Sequence, residues 1–546
     1  MKKYLLLLVL GVSALLSACQ TEPPVDRVSE IRAEHINHRN YYQVFVRSFA
    51  DSNGDGVGDF IGLKNALPFL ADLGIEGIWL LPIHPSPSYH GYDVEDFYAV
   101  NPEYGTMEDF EALLAEAQRL DMHIVIDFLI NHSSSTHPWF EAFVAGEAPY
   151  DEFYRRIDAS DPRAGTRGSW GQSIWHSLGD GTYYVGYFTG FMPDLNWSNP
   201  AVVEEMIRVA DFWLDKGVHG LRLDAALHLL ARNEVPANVP AFEETLFMLE
   251  YFEFRVKENH PDAYIVGEIW DSFSLYNEFY RSMDSVFHFD FGHLVVNTIN
   301  NGFNRQYADR VMRWHESAQA QGENIIEAPF LRNHDQNRIA SGSGPGTPNI
   351  GPHRRQLGLA AEMLLTVPGN PFIYYGEELG MRGEAAGAPP LWDATIRLPY
   401  LWGDERQANW LFDRWNYTDT YNRDVPNVAA QSEDPNALLN QYRRLLHLRK
   451  DHLSLRLGGM ALYEDNHAGL QGFYRMFQAE GYEEVTLVLH NVTNESLVLN
   501  RLPEGVVIYA TDDVEDLRAW SATMDIEARS TIIIQLSPEE AARFFE

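Results

Sequence analysis

Between residues 41 and 450 the chain sets out eight short apolar runs, and longer stretches of helical periodicity fill most of the gaps between them. The runs are YYQVFVRSF, EGIWLLP, HIVIDFLIN, GLRLDAA, YIVGEIW, SVFHFDF, APFLRN and PFIYYG. Among the helical stretches are residues 107–120, which Thr106 and Asp109 would cap, and residues 201–216. Eight strands alternating with helices predict an α/β fold whose parallel sheet closes into a (β/α)₈ TIM barrel. An open doubly wound sheet fits less well, because no Gly-rich phosphate fingerprint follows the first strand.

Two interruptions break the alternation. Residues 133–195 are rich in Gly, Ser, Asp and aromatics, have weak periodicity, and read as an excursion from the barrel, a domain inserted after strand 3. Residues 380–434, which carry Trp392, Trp402, Trp410 and Trp415, form a second irregular stretch. Both would overhang the face where strands end. After residue 452 the pattern changes to alternating segments such as QGFYRMF and EVTLVLHNV, with no helix expected before Pro538. That predicts a C-terminal antiparallel β-sandwich domain over 453–546. The barrel would then occupy 39–132 and 196–452.

A chain of 546 residues needs two or three structural units, and 45% hydrophobic residues with 13% aromatics suffice to fill their cores. Its 78 acidic against 41 basic residues, a formal charge of −37, would repel nucleic acid and anionic lipid head groups, so a neutral or cationic partner is favoured. At the N-terminus, Lys2 and Lys3 precede the apolar run 5–16, and Ser17 and Ala18 lead into Cys19, the only cysteine. This resembles a bacterial lipoprotein signal occupying 1–19, with Cys19 as the lipidated first residue of the mature chain. The apolar run is too short for a transmembrane helix and is followed by a polar linker over 20–38. The expectation is an exported, monomeric protein without disulfides. It would touch a bacterial membrane only through its acyl anchor, on the cell-surface or periplasmic side.

The stretch DSNGDGVGDF, 51–60, resembles an EF-hand calcium loop in its alternating oxygen donors and in Gly56, which permits a sharp turn. Gly62 stands where an EF-hand places its bidentate Glu, and the segment before the loop reads as a strand, so a solvated acidic turn is the alternative.

Functional groups of such a barrel belong at the C-terminal ends of strands, and acids collect there. Asp127 and Asn131-His132 fall in the third run, Arg222 and Asp224 in the fourth, Glu268 in the fifth, and Asn333-His334-Asp335 at the end of the seventh. Each alone has a bland reading as a helix cap or surface pair, and Asp127 reads equally as structural. Together they converge on one mouth, where crowded acids with one Arg are costly unless the chemistry needs them. Two carboxyl groups flanking a bond, one ionised and one protonated, are what glycoside hydrolysis requires.

The blocks DFLINH, GLRLDAALH, VGEIW and FLRNHD, in this order and joined by MPDLN at 192–196, resemble those of the α-amylase family, glycoside hydrolase family 13. The resemblance covers nearly the whole mature chain. It implies Asp224 as a nucleophile forming a covalent glycosyl intermediate, with Arg222, two residues earlier on the same strand face, holding it ionised. It implies Glu268 as general acid and base, Asp335 as a carboxylate gripping sugar hydroxyls, and His132 and His334 as hydroxyl-binding histidines. Tyr92 would be the aromatic platform under the sugar at the cleavage point. His228 follows Leu227, where many relatives place a Lys, on the leaving-group side. Relatives that remove single glucose units carry an Asp three positions before the platform Tyr; here that position is Tyr89, which favours internal cleavage of starch-like α-glucan. The loop would hold Ca²⁺ through Asp51, Asn53, Asp55 and Asp59, with Val57 contributing its carbonyl, and a second Ca²⁺ would bridge Asn131 and Asp194.

Three rivals remain. An exo-acting α-glucosidase would attack from the chain end, and a glucosyltransferase or isomerase of the same family would pass the intermediate to a sugar instead of water. A surface glucan-binding lipoprotein without catalysis should have lost one of Asp224, Glu268 and Asp335, and all three are present.

Overall fold

The computed structural model describes residues 27–230, 241–302, 306–322, 324–343, 348–385, 393–410, 417–465, 467, 469–512 and 521–545. Cys19 and the apolar run before it, Trp392 and Trp415 lie outside the described residues. In chain order come strands β1 (Tyr41–Val44), β2 (Gly77–Leu80), β3 (His123–Phe128), β4 (Arg156–Asp158), β5 (Trp175–Ser177), β6 (Thr182–Val185), β7 (Gly220–Leu223), β8 (Tyr264–Gly267), β9 (Ser285–His288), β10 (Ala328–Pro329) and β11 (Phe372–Tyr374). Eight of them form one parallel sheet in the order β10-β9-β8-β7-β3-β2-β1-β11. A parallel bridge between Phe330 and Phe372 joins its two edges and closes the barrel.

Every predicted run supplies a strand, but the strands are shorter than the runs. YYQVFVRSF leaves the sheet at Phe45 and turns helical over Val46–Phe49, and SVFHFDF passes at Phe289 into the helix Phe289–Asn301. At the lower end the Tyr41 ring stacks between Phe372, 4.8 Å away, and Tyr264, 5.3 Å away. Gly77 faces this ring so closely that a Cβ there would lie 2.4 Å from Tyr41 Cε1, so only glycine fits. Further along the strands Trp79 stacks on Phe287 at 5.0 Å, and the guanidinium of Arg222 lies 5.0 Å over the Trp79 ring. Apolar layers thus fill the lower barrel, and polar side chains begin where the strands end.

The expected helix at 107–120 spans Met107–Arg119 with a full capping box from Thr106 and Asp109, and that at 201–216 spans Pro200–Asp215. The excursion holds the helix Pro138–Ala145 and an antiparallel sheet ordered β4-β6-β5, with Ile157, Ile174, Trp175 and Val185 as a small core. It is stitched to the barrel by the His132–Asp194 bridge and by the Leu195 N–H donating to the Asn131 carbonyl at 2.8 Å.

Beyond the barrel come β12 (Gly459–Leu462), β13 (Leu470–Ala479), β14 (Tyr482–Asn491), β15 (Leu497–Asn500), β16 (Gly505–Ala510), β17 (Thr523–Ile526) and β18 (Ser530–Leu536). Five form an antiparallel sheet ordered β12-β13-β14-β18-β16, and β15 pairs with β17. Leu499 of β15 and Ile526 of β17 share a core with Leu487, Ile532 and Ile534, so the two sheets face each other as a sandwich requires. Two helices depart from expectation. Leu453–Leu457 is helical before β12, and Arg27–Glu34 is a helix inside the stretch read as linker. The latter buries Ile31, and Arg27 donates to the Glu480 carbonyl at 3.0 Å, contacts that a linker reading based on polarity overlooks. Among the described residues no helix is long and apolar enough to cross a membrane.

Candidate active site

Arg222 is the hub of the mouth. Strand register sets it beside Asp127 of β3, and the same pleat carries Asp224 two residues on. Its Nη1 pairs with Asp127 Oδ1 and Asp224 Oδ1 at 2.5 Å each, and its Nη2 pairs with Glu268 Oε1 at 2.8 Å. The ladder continues past the strand ends: Asp224 N–H donates to the Phe128 carbonyl and Glu268 N–H to the Leu223 carbonyl, each at 3.0 Å. Acids from three neighbouring strands are therefore fixed by backbone pairing as well as by one guanidinium. Ala225, a non-glycine residue with φ 48° and ψ 32° in the left-handed region, turns the chain sharply after Asp224. Its N–H donates to Glu268 Oε2 at 3.1 Å.

The other flank is built on His334. Its Nε2 lies 2.5 Å from the Tyr92 hydroxyl and 3.1 Å from Asp335 Oδ2, and its Nδ1 lies 2.6 Å from Gln43 Nε2. The Tyr92 ring runs parallel to the imidazole, centroids 5.7 Å apart, and its hydroxyl donates to Asp127 Oδ2 at 2.9 Å. His132 Nε2 is 3.1 Å from the Tyr92 carbonyl. His228 stacks on Tyr187 of the excursion at 4.1 Å, and Phe188 sets its edge or face against both His132 and His228. Leu227 is partly buried against the core. The structure thus gathers Tyr92, His132, Arg222, Asp224, His228, Glu268, His334 and Asp335 at one mouth.

Burial dominates the electrostatics. It pushes Asp127 up to about 8 and Asp335 up to about 7, with Arg222 and Arg397 respectively pulling them back. Burial also raises Asp224 and Glu268; Arg222 opposes both shifts, while the charge of Asp224 pushes Glu268 further up. Arg222 loses hydration, yet Asp127, Glu268 and Asp224 hold its pKa well above the ordinary range. Burial keeps His132 and His228 down at about 4 and His334 well below its usual value, so all three are neutral near pH 7 and each offers one donor and one acceptor. More carboxyl groups than guanidiniums meet here, so the cluster can hold an ionised acid and a protonated one side by side.

Several participants were not singled out from sequence. Asp127, read as equally structural, is the second partner of Arg222. Gln43 sits on β1, whose run reads as apolar and aromatic, yet its side chain meets His334. Arg397 pairs with Asp335 Oδ1 at 3.0 Å and with Asp393, which also accepts the Tyr89 hydroxyl. Arg397 and Asp393 come from the irregular 380–434 stretch, which offers no periodicity to place them. The i, i+4 spacing of an Asp and an Arg between Trp residues was the one available signal.

The expected metal ligands are arranged differently. Asp51 accepts from the N–H groups of Asn53, Gly54 and Gly56 at 2.7–3.0 Å, and Asp55 accepts from the Val57 N–H at 2.8 Å. Asp59 caps the helix Phe60–Leu73 through the Gly62 N–H at 2.6 Å and binds Ser52. The donor set is all oxygen and suits Ca²⁺, but its carboxylates are turned to the loop's own amides. No group of three acidic, histidine or cysteine side chains is gathered for a metal among the described residues. Asn131 donates to Asp194 Oδ1 at 3.2 Å, and both oxygens of Asp194 accept from the Tyr187 N–H. Burial lifts Asp194 to about 6, and Arg155 is the cation acting on it. Asn131 Oδ1 is buried without a hydrogen-bond partner, an oxygen that suits Ca²⁺, but no third acidic, histidine or cysteine side chain joins Asn131 and Asp194 there among the described residues.

Comparison with known proteins agrees with this arrangement. A family model described as alpha amylase, catalytic domain, matches residues 43–458. The chain is 34% identical over 506 residues to Alpha-amylase 3 of Dictyoglomus thermophilum, covering 91% of this chain and 93% of the relative. It is 33% identical to 4-alpha-glucanotransferase of Thermotoga maritima, covering 75% and 87%. The crystal structure of alpha-amylase from H. orenii superposes with a TM-score of 0.79 at 34% identity, covering 92% of this chain and 99% of that one.

Proposed function

We propose, from the premise that the chain belongs to the α-amylase family, that it hydrolyses internal α-1,4-glucosidic bonds of starch and maltodextrins with retention of configuration. The observation that carries the reading is the single guanidinium of Arg222 binding Asp224 through Nη1 and Glu268 through Nη2. That bond pattern brings two carboxyl groups to one cavity, as a double displacement needs.

In the proposed course, Glu268 gives its proton to the leaving oxygen while Asp224 Oδ attacks the anomeric carbon, so the glycosidic C–O bond breaks as the ester C–O bond forms. Glu268, now ionised, takes a proton from water, whose oxygen displaces Asp224 and restores both groups. Arg222 lowers the cost of the Asp224 anion, and Asp335 with the neutral His334 binds ring hydroxyls of the distorted sugar. Tyr89 in place of an end-seizing Asp supports internal attack. A second reading, transfer to a sugar acceptor, is supported by the similarity to a 4-alpha-glucanotransferase.

Incubating the soluble enzyme, lacking residues 1–19, with starch and with short maltooligosaccharides tests both. A rapid fall in viscosity with mixed oligosaccharides is expected. Glucose alone from the outset would contradict internal attack, and products longer than the input would select transfer.

The proposal extends to a Ca²⁺ held by the Asp51–Asp59 loop, supported by its all-oxygen donors; ligation there would stiffen the loop without entering bond breaking. Chelator should lower the melting temperature, and an unchanged melt with no metal detected would remove Ca²⁺ from the account. It also extends to a monomer exported and tethered through Cys19. Cys19→Ala should release the protein from the membrane fraction.

A further inference from the structure

We infer that, in the chain tethered through Cys19, the face where the barrel strands begin is turned to the membrane and the mouth opens away from it, so that polymeric α-glucan enters from the medium. The inference rests on the anchor and the function proposed above. From residue 27 onward the stretch read as a linker is bonded to the loops that lead into the strands. Asn37 Nδ2 donates to the Asp262 carbonyl, just before β8, at 3.2 Å. Arg39 Nη1 donates to the Asp121 carbonyl, just before β3, at 2.7 Å, and its Nη2 pairs with Asp121 Oδ1 at 3.1 Å. Asn370, before β11, accepts from the Arg39 N–H at 2.9 Å and donates to the Asn37 carbonyl at 2.8 Å. Asn40 Nδ2 donates to the Gly74 carbonyl, before β2, at 3.2 Å. Loops from several parts of the ring thus hold this segment, and Ile31 and Arg39 are buried in it. Freeing it would break all these bonds at once.

Reach decides which face can meet the bilayer. Residues 20–26 alone separate Cys19 from Arg27, and these eight residue steps span at most about 28 Å whatever course they take. The barrel helices run from one face to the other. Ala241–Asn259, with 19 residues, is about 28 Å long, and Pro200–Asp215, with 16, is about 24 Å. A fully stretched tether climbing this wall would be spent at the level of the mouth. Nothing would remain to pass the excursion, whose Tyr187 and Phe188 stand against His228. The N-terminal face needs no such climb, because Arg27 already lies there, bonded in the turn between β13 and β14. The formal charge of −37 also repels anionic head groups, which keeps the body standing off on its tether instead of spread over the surface.

The test uses the full chain, lipidated in bacteria and reconstituted into vesicles of phosphatidylcholine and phosphatidylglycerol with an acceptor dye on their head groups. Lipidation consumes the thiol of Cys19, the only cysteine, so one added cysteine takes the donor dye. Asp262→Cys places it beside the docked segment and Ser169→Cys on the excursion, both at exposed positions. Melting temperatures and starch cleavage in detergent guard against a folding defect. Energy transfer to the membrane should be about threefold or more stronger from residue 262 than from residue 169, since the two differ in height by at least about one barrel helix. Equal transfer, as from a body lying on its side, or stronger transfer from residue 169 would overturn the inference. On the vesicles kcat/KM for soluble starch should stay within about twofold of the form lacking residues 1–19. A loss of about tenfold, regained on release from the membrane, would mean an obstructed mouth and would overturn it too. Protein left in the vesicle supernatant would instead defeat the Cys19 anchor, and wild type that cleaves no starch in detergent would defeat the proposed function, so the failures are distinguishable.

Discussion

At the residue scale Asp224 and Glu268 share one guanidinium, and the proposed function gives the two carboxyl groups different work. Burial raises Glu268, and the Asp224 charge adds to the shift, while Arg222 binds both. Glu268→Gln keeps an oxygen for Arg222 but has no proton to give, so turnover on starch should fall about 10²–10⁴-fold with glucan binding retained. A glucosyl fluoride, whose leaving group needs little protonation, should lose far less in its first step. Equal losses on both substrates would take the acid role from Glu268. That Asp224, Glu268 and Asp335 would share one mouth was legible because strand ends are where a barrel exposes side chains, and because Arg222 and Asp224 share a strand face. Asp393 and Arg397 were not, since their positions follow from tertiary contacts of a segment without periodicity.

At the scale of elements, apolar period and turn chemistry carried the barrel. The eight runs became eight strands, and the capping box at Thr106 opened its helix as expected. Strand lengths were not legible, because the same aromatic and β-branched residues line both the barrel interior and the turns above it. Nor was the seam between barrel and sandwich. There Glu362, on the helix Arg354–Leu365, is fully buried and accepts from Gln441 at 2.7 Å, Tyr509 at 2.8 Å, Thr511 at 2.6 Å and Thr531 at 2.7 Å. From sequence it is an ordinary acid in an amphipathic helix. Removing it would orphan buried donors from both units, so Glu362→Ala should destabilise the protein by about 3 kcal/mol or more in denaturant titrations. A change within about 0.5 kcal/mol would mean that water replaces the carboxylate.

For the whole molecule, buried acids predict an alkaline weakness. Burial lifts Glu377 from its ordinary 4.5 to about 8, with Tyr442 donating to one oxygen at 2.9 Å and the other oxygen buried without a partner. A folded-state pKa above the unfolded one gives stability that is fully present below the unfolded value and lost as pH rises through the folded value. Asp127, at about 8, and Asp335, at about 7, have the same sign. The melting temperature should therefore fall from about pH 4.5 to about pH 8 and level off above it, and Glu377→Gln should gain on the wild type across that range; a difference independent of pH would refute the assignment. The sequence showed a strongly acidic chain but not which acids are buried.

The central claim is a covalent bond between Asp224 and the sugar. Incubation with a slow-turnover 5-fluoro-α-glucosyl fluoride, followed by proteolysis and peptide mass mapping, reads it directly. The account predicts one added glycosyl unit on the peptide carrying Asp224, absent in Asp224→Asn. A label on another carboxylate, or turnover of the reagent by the wild type with an inverted product and no adduct, would contradict it.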